Sequence, residues 1–440
     1  MQKLNKYHNK KIAIYGMGLT GQSAAKRLEK LGAEIYCWDD IKKKREKTKK
    51  LKFKVAKFWS GKNIIDNIII SPGINIKTCK IKNYLKKNFN KIITDLDIFF
   101  ELNKESLIIA ITGTNGKSTT CKIIEKILKT AKYNVTTAGN IGKPILSINK
   151  KSKKNILILE VSSYQLEYSK LFHSKYAAIL NISPDHLDRH KNINNYTKIK
   201  SKIFFGQNSS DYSLINNENK YSKSIKKIFK NKKIKSKLIL VNKSNCNFLL
   251  EKIKNKYFCN KGNIENLAFA YKIAKSFKIN DKVIINALNR FKGLPHRQEI
   301  IFSNKNILCV NDSKATSFEA CFQSLSSYNK IYWILGGIPK KQDNFDLIKV
   351  KNKIKKAYII GKNITFFKKQ IKNKISYTVS KNIKSAVKSI HKDLKKNKNF
   401  KNTILLSPAA ASFDQFNDFE DRGNYFKKLI LKEFKLGLDA

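Results

Sequence analysis

The run Ile108-Ile109-Ala110-Ile111-Thr112-Gly113-Thr114-Asn115-Gly116-Lys117-Ser118-Thr119-Thr120 constrains this chain more than any other stretch. An isoleucine-rich segment enters a turn bracketed by glycines and leaves through Lys-Ser-Thr. The following Cys121-Lys122-Ile123-Ile124-Glu125-Lys126-Ile127-Leu128 has helical periodicity. Strand, glycine loop and helix in that order make a phosphate cradle, because glycines let backbone N–H groups approach phosphate oxygens and a helix N-terminus favours an anion. Lys117 is expected to reach the outer phosphates of a nucleoside triphosphate and Ser118 to hold Mg²⁺. Gly113 precedes Gly116 by three residues, so the loop is shorter than the strict P-loop pattern.

A second glycine motif, Gly16-Met17-Gly18-Leu19-Thr20-Gly21, follows the apolar segment Lys11–Tyr15. A helix is expected at 23–31, a second strand at Glu34–Trp38 and a third at 64–70. GxGxxG in this context, with Asp39 about 20 residues on, is a dinucleotide signature. The second cradle at 113–118 makes NAD less attractive, and the pyrophosphate of a UDP-sugar fits the same geometry. Gly18, Leu19 and Thr20 are then candidate ligand contacts, as are Ser71, Pro72 and Gly73, which end the third strand on the same edge. Asp39 reads either as a ligand contact or as a solvated acid at a strand end.

Apolar runs alternate with Lys-rich amphipathic stretches along the whole chain, which predicts α/β units with parallel sheets. Further strands are expected at 156–159, 177–180, Ile307–Asn311, 331–335, 357–360 and 403–406. The fold class expected is α/β in three domains. They are a Rossmann-like one at 1–101, a P-loop-type ATPase domain at 102–299 and a second Rossmann-like one at 300–440. The Lys/Asn-rich stretches near 216–236 and 362–400 give no clear reading. The segment 156–159 runs into Glu160, placed as a Mg²⁺ ligand at a strand end. The segment 177–180 leads to Asp185-His186-Leu187-Asp188-Arg189-His190, too dense in ionisable groups for a mere turn.

The formal charge of +59 suggests a polyanion partner, but the lysines are dispersed and not clustered with aromatics. A drift toward Lys, Ile and Asn accounts for it, so no specific nucleic-acid partner is expected. Only six arginines stand among 91 Lys and Arg, and Arg189, Arg297 and Arg422 lie inside motifs, where a planar fork is what lysine cannot supply. Seven scattered cysteines without a CxxC point to reduced thiols in a cytoplasmic protein. No apolar run is long enough to span a membrane, and no signal-peptide pattern opens the chain.

Gly113-Thr114-Asn115-Gly116-Lys117-Ser118-Thr119, Glu160-Val161-Ser162-Ser163-Tyr164-Gln165-Leu166 and Asp185-His186-Leu187-Asp188-Arg189-His190 together resemble the signatures of the Mur ligase family. The resemblance implies ATP-dependent amide formation with Mg²⁺. It makes Glu160 and His186 metal ligands, and Asn140 and Ser162 contacts for the muramoyl substrate. It makes Lys200 a carbamylated lysine supporting a second Mg²⁺, and Asn263 and Asn266 the adenine-side asparagines. Asn311-Asp312-Ser313-Lys314-Ala315-Thr316 and Ser407-Pro408-Ala409-Ala410-Ala411-Ser412-Phe413, followed by Phe419 and Arg422-Gly423, are similar to the form in the member that adds D-glutamate. Lys314, Thr316, Ser412, Phe413 and Phe419 would then hold the amino acid, Arg297 and Asp312 would lie on the ATP side, and Lys340 would be a further cation, a role open equally to Lys341. The implied substrates are UDP-N-acetylmuramoyl-L-alanine, D-glutamate and ATP, and the enzyme is expected to be monomeric. Three other readings remain: a folylpolyglutamate-type ligase, a basic nucleic-acid-binding NTPase, and an NAD-dependent oxidoreductase, against which the second phosphate loop counts.

Overall fold

The computed structural model describes residues 5–61, 64–140, 143–148, 155–259, 261–340, 347–395 and 402–435. The chain divides into two compact units, Met1–Phe258 with Asn263–Phe291, and Cys259–Gly262 with Lys292–Ala440.

The first unit contains two parallel sheets. One has the spatial order Lys54–Val55, Glu34–Trp38, Lys11–Tyr15, Asn67–Ile70 and Ile92–Ile93. The chain reverses direction of travel between Lys11–Tyr15 and Asn67–Ile70, and the crevice beyond the carboxyl ends at such a switch is where open α/β sheets take ligands. Gly16 and Ser71 lie at those two ends. The other sheet runs Lys237–Val241, Tyr212–Asn216, Tyr176–Ile179, Leu107–Thr112, Asn155–Glu160 and Asn134–Gly139. Its switch flanks Leu107–Thr112, so the phosphate loop emerges between Glu160 and Asn181. Asn155–Glu160 is buried at every position, which is why its sequence reads as one apolar run rather than an alternation. Both sheets contribute to a single buried cluster containing Ile12, Ile14, Ile69, Ala110, Leu157 and Leu159.

The second unit has one sheet, in the order Glu299–Ser303, Ile307–Asn311, Asn402–Leu406, Ile331–Gly336, Ile354–Ile360 and Tyr377–Lys381. Its strands are parallel except Glu299–Ser303, which pairs antiparallel with Ile307–Asn311 at the edge. The sequence reading missed that strand. It is only partly buried, and its signal lies in the turn, where Asn304 Oδ1 accepts from the N–H groups of Asn306 and Ile307.

Other boundaries moved for identifiable reasons. The helix expected at 23–31 is Leu19–Glu29 and begins inside the glycine motif, where no apolar periodicity marks it. The strand expected at 64–70 is Asn67–Ile70, because Ile64 is 77% exposed and stands outside the sheet. The two stretches left unread hold the amphipathic helices Ser222–Asn231, Ile364–Ile371 and Ile383–Lys395, whose few apolar residues fall on one side. Among the described residues no helix is long and apolar enough to cross a membrane.

Candidate active site

The phosphate loop has the backbone its sequence requires. Gly113 has φ +155° and Gly116 φ +81°, and a Cβ on Gly116 would lie 2.1 Å from Asn266 Oδ1. Gly116 leads into the helix Lys117–Thr130, whose N-terminus has no side-chain cap. The Lys117 ammonium lies across the loop, donating to the carbonyls of Gly113 and Thr114 at 2.8 and 2.7 Å. Asn115 is fixed by Asn181, whose Oδ1 accepts from its N–H at 2.9 Å, and Thr114 Oγ1 accepts from Ser183 N at 3.1 Å. Thr119 is buried in the first turn of the helix. Ser118 Oγ donates to Glu160 at 2.6 Å, and both residues are buried. Asn140 Nδ2 donates to the other oxygen of the same carboxylate at 3.0 Å.

Lys200 is 1% exposed and donates to Gly113 O at 2.9 Å. Burial, reinforced by the Lys117 charge, holds its ammonium well below the usual lysine range. The shift favours the neutral amine relative to an exposed lysine. Asn266 accepts from Thr120 Oγ1 at 3.2 Å, and Asn263, one turn earlier on the helix Lys261–Ser276, donates to Tyr257 O at 2.8 Å.

The hydroxyl–carboxylate pair of Ser118 and Glu160 suits Mg²⁺, which takes oxygen ligands and retains water and substrate oxygens. Among the described residues no group of three His, Cys, Asp or Glu stands ready to cage a metal. An ion at this place would complete its shell with water or substrate oxygens.

A cleft of about 700 Å³ opens beside this centre. From the first sheet it is lined by Gly18, Leu19, Thr20, Asp39, Ser71, Pro72 and Gly73. Asn140 and Ser162 line it from the second. The structure thus brings the candidate UDP-sugar contacts of both sheets into one cavity, while the phosphate loop, Glu160, His186 and Lys200 lie outside its lining. Gly21 permits the tight loop, since a Cβ there would lie 1.9 Å from Gly16 O. Asp39 is not the solvated acid of one sequence reading. It is 5% exposed, and its two oxygens accept from Met17 N at 2.7 Å and Ile41 N at 3.0 Å, so it shapes the glycine loop from within. Gln165 also lines the cleft and was not selected from sequence, although the Ser162-to-Gln165 capping box was a legible signal.

The Asp185–His190 segment divides into different roles. His186 has φ +55° and caps the short helix Leu187–His190. Its Nδ1 lies 2.9 Å from Tyr164 OH and its Nε2 3.4 Å from Asp185. Arg189 and Glu167 form a buried ion pair at 2.8 Å. His190 is fully buried, 3.0 Å from Ser163 Oγ, and burial pushes its imidazole down to about 4.

In the second unit, Asp312 is buried among Ser324, Ser407 and the N–H of Gln298, and burial raises its carboxyl to about 6, with Arg297 among the groups opposing the rise. The Lys314 ammonium sits 3.4 Å above the Phe419 ring. Thr316 is half-buried, Ser412 is buried and Phe413 is 70% exposed. Arg422 is 1% exposed and joins two loops, donating to Ser313 Oγ and O at 2.9 and 2.8 Å and to Ala410 O at 3.0 Å. Lys340 lies at the edge of its described stretch, and Lys341 falls outside the described residues.

Two family models match this chain: the Mur ligase middle domain over residues 111–289 and the Mur ligase MurD-like N-terminal domain over residues 10–93. A UDP-N-acetylmuramoylalanine--D-glutamate ligase of Rickettsia felis is 37% identical over 449 residues, spanning 97% of this chain and 98% of the relative. The chain belongs to the Mur ligase family. Its similarity to the Clostridioides difficile protein of the same name is 33% over 95% of this chain and 97% of the relative. Among solved structures, the MurF ligase of Thermotoga maritima in complex with ADP superposes with a TM-score of 0.58 at 15% identity, covering 98% of this chain and 97% of that one. A folylpolyglutamate synthase/dihydrofolate synthase from Yersinia pestis reaches 0.52 at 16% identity but covers only 76% of this chain, and 93% of its own. These structural likenesses establish a shared Mur ligase fold; the full-length sequence relatives separate this chain from the folyl reading.

Proposed function

We propose that this chain is an ATP-dependent ligase that joins D-glutamate to UDP-N-acetylmuramoyl-L-alanine in peptidoglycan precursor synthesis. The observation that carries the reading is the continuity of the cleft. It runs from the glycine loop at Gly18 to Ser162 and Asn140, and Asn140 is bonded to the carboxylate that meets the phosphate-loop Ser118. A ligand with its pyrophosphate at the first loop places its far end beside the second. Full-length relatives bearing the D-glutamate ligase name supply the choice of amino acid.

The alanyl carboxylate is a poor electrophile, so an oxygen of it attacks the γ-phosphorus of ATP and ADP leaves. The neutral amine of D-glutamate then adds to the acyl phosphate carbonyl. The tetrahedral oxyanion collapses, inorganic phosphate departs and the amine loses a proton. Lys117 and the backbone N–H groups of 113–119 hold the triphosphate. Asn263 and Asn266 flank the adenine side, and Arg297 and Asp312 complete the ATP contacts. Lys314, Thr316, Ser412, Phe413 and Phe419, with Lys340, receive the D-glutamate carboxylates. Mg²⁺ held by Ser118, Glu160 and His186, with a second ion on a carbamylated Lys200, would neutralise charge on the transferring phosphoryl group when bound. Correct placement of the reactants supplies much of the acceleration. A division into three domains, 1–101, 102–299 and 300–440, a cytoplasmic location and a monomeric state belong to the same proposal.

The test is isotopic. With ¹⁸O in the alanyl carboxylate, one labelled oxygen is expected in the released phosphate. Phosphate without label would reject the acyl-phosphate route.

A further inference from the structure

Ser162 reaches the cleft through a hydrogen-bond chain that begins on a buried acid. Asp95 opens the helix Asp95–Leu102, is 3% exposed and lies in the cleft wall. Its Oδ1 accepts from Leu96 N at 3.1 Å, and its Oδ2 accepts from Gln165 Nε2 at 2.9 Å. Gln165 Oε1 in turn accepts from both Ser162 N and Ser162 Oγ, each at 3.1 Å. Ser162 Oγ accepts from Gln165 N at 3.2 Å.

The direction of each bond follows from chemistry. An ionised carboxylate only accepts, so the Gln165 amide must turn its nitrogen toward Asp95. A backbone N–H only donates, so the Gln165 oxygen must face Ser162. The amide is therefore fixed from both ends. The hydroxyl proton of Ser162 is committed to Gln165 and one of its lone pairs to Gln165 N. What remains for a ligand is the other lone pair. Asn140, across the same wall, likewise directs an amide N–H to Glu160 and retains its carbonyl oxygen.

We propose that Asp95 is a positioning residue that sets the hydrogen-bond polarity of this wall, so that Ser162 selects a substrate bearing an amide N–H at that point. The inference rests on the reading of the cleft as the site of the UDP-sugar peptide. Such a ligand carries two amide N–H groups of the required kind, one in the alanyl linkage and one in the sugar's acetamido group. An analogue with oxygen in place of the nitrogen sets lone pair against lone pair, and a site with a buried polar group left unpaired discriminates strongly.

The experiment compares kcat/KM for UDP-N-acetylmuramoyl-L-alanine with two analogues, one with a lactyl ester for the alanyl amide and one with an acetoxy group for the acetamido group. The unsubstituted enzyme is expected to lose about 10- to 100-fold on one of them, which identifies the N–H that Ser162 meets. In Asp95→Asn the side chain keeps its shape but loses the charge that holds Gln165 from one end, so Ser162 N alone still orients the amide and the penalty falls several-fold while KM for ATP is unchanged. Ser162→Ala abolishes the same penalty and serves if Asp95→Asn does not fold. Full discrimination in Asp95→Asn, or no penalty for either analogue in the unsubstituted enzyme, overturns the inference. Failure to turn over the parent substrate at all would instead reject the functional reading on which it stands.

Discussion

Removing either partner of the Arg189–Glu167 pair should unfold the Asp185–His190 segment before it affects anything else. Nε and Nη2 of Arg189 both lie 2.8 Å from one oxygen of Glu167, and the two side chains are 6% and 8% exposed. The guanidinium also packs 5.1 Å from the Tyr164 ring centroid and 5.9 Å from that of Tyr168. Glu167→Gln leaves a buried cation facing a neutral amide, a change that costs about 3–5 kcal/mol. At roughly 1.7 °C per kcal/mol for a unit of this size, the thermal midpoint of the first unit should fall by about 5–9 °C. Arg189→Lys keeps the charge but loses the planar contact with two rings, and should cost about 1–3 kcal/mol. The double replacement Arg189→Met with Glu167→Met removes both charges and should recover most of the loss. Differential scanning calorimetry on the four proteins measures each step. The reasoning is refuted if Glu167→Gln stays within about 1 kcal/mol of the parent, or if the double variant is no more stable than the single one.

Gly21→Ala places a methyl against Gly16 O and should raise KM for the UDP-sugar about 10- to 100-fold with KM for ATP unchanged; equal effects on both constants would contradict a local role. Lys200→Met, which cannot form a carbamate, should lower kcat by about 100-fold or more, and the ¹³C carbamate resonance expected from the parent in labelled bicarbonate should be absent. A parent without that resonance would contradict carbamylation. His190 is held neutral, with its folded value near 4 below an unfolded value near 6.5, so its stabilisation is complete above pH 6.5 and is lost as pH falls through 4, by about 3 kcal/mol. Asp95 and Asp312, both raised to about 6, act in the opposite sense, since their ionised forms are penalised by folding and that penalty is relieved as pH falls from 6 toward 4. The advantage of the parent over His190→Gln in urea unfolding should therefore shrink by about 3 kcal/mol from pH 7 to pH 4, and a constant gap would refute the assignment.

What was legible in the sequence was whatever a local pattern dictates. Strands buried on both faces read as apolar runs, and the glycines of both loops declared turns that only they permit. The Arg-poor composition drew attention to Arg189 and Arg422, and each proved to be a buried fork between separate segments. Lys200 is different: one lysine among so many carries no local signal, and only its complete burial beside Gly113 sets it apart. Asp95 and Gln165 were missed because their meaning lies in a contact 70 residues long in sequence. Asp39 kept two readings until the fold showed its oxygens turned onto the loop. The strand Glu299–Ser303 escaped because a half-exposed edge strand need not be apolar.

The central claim is best tested by phosphate release from ATP with UDP-N-acetylmuramoyl-L-alanine in Mg²⁺ and bicarbonate, comparing D-glutamate, L-glutamate, L-lysine and meso-diaminopimelate as acceptors. Release with D-glutamate alone is the predicted result. Release with another amino acid in its place, or with none of the four, would contradict it.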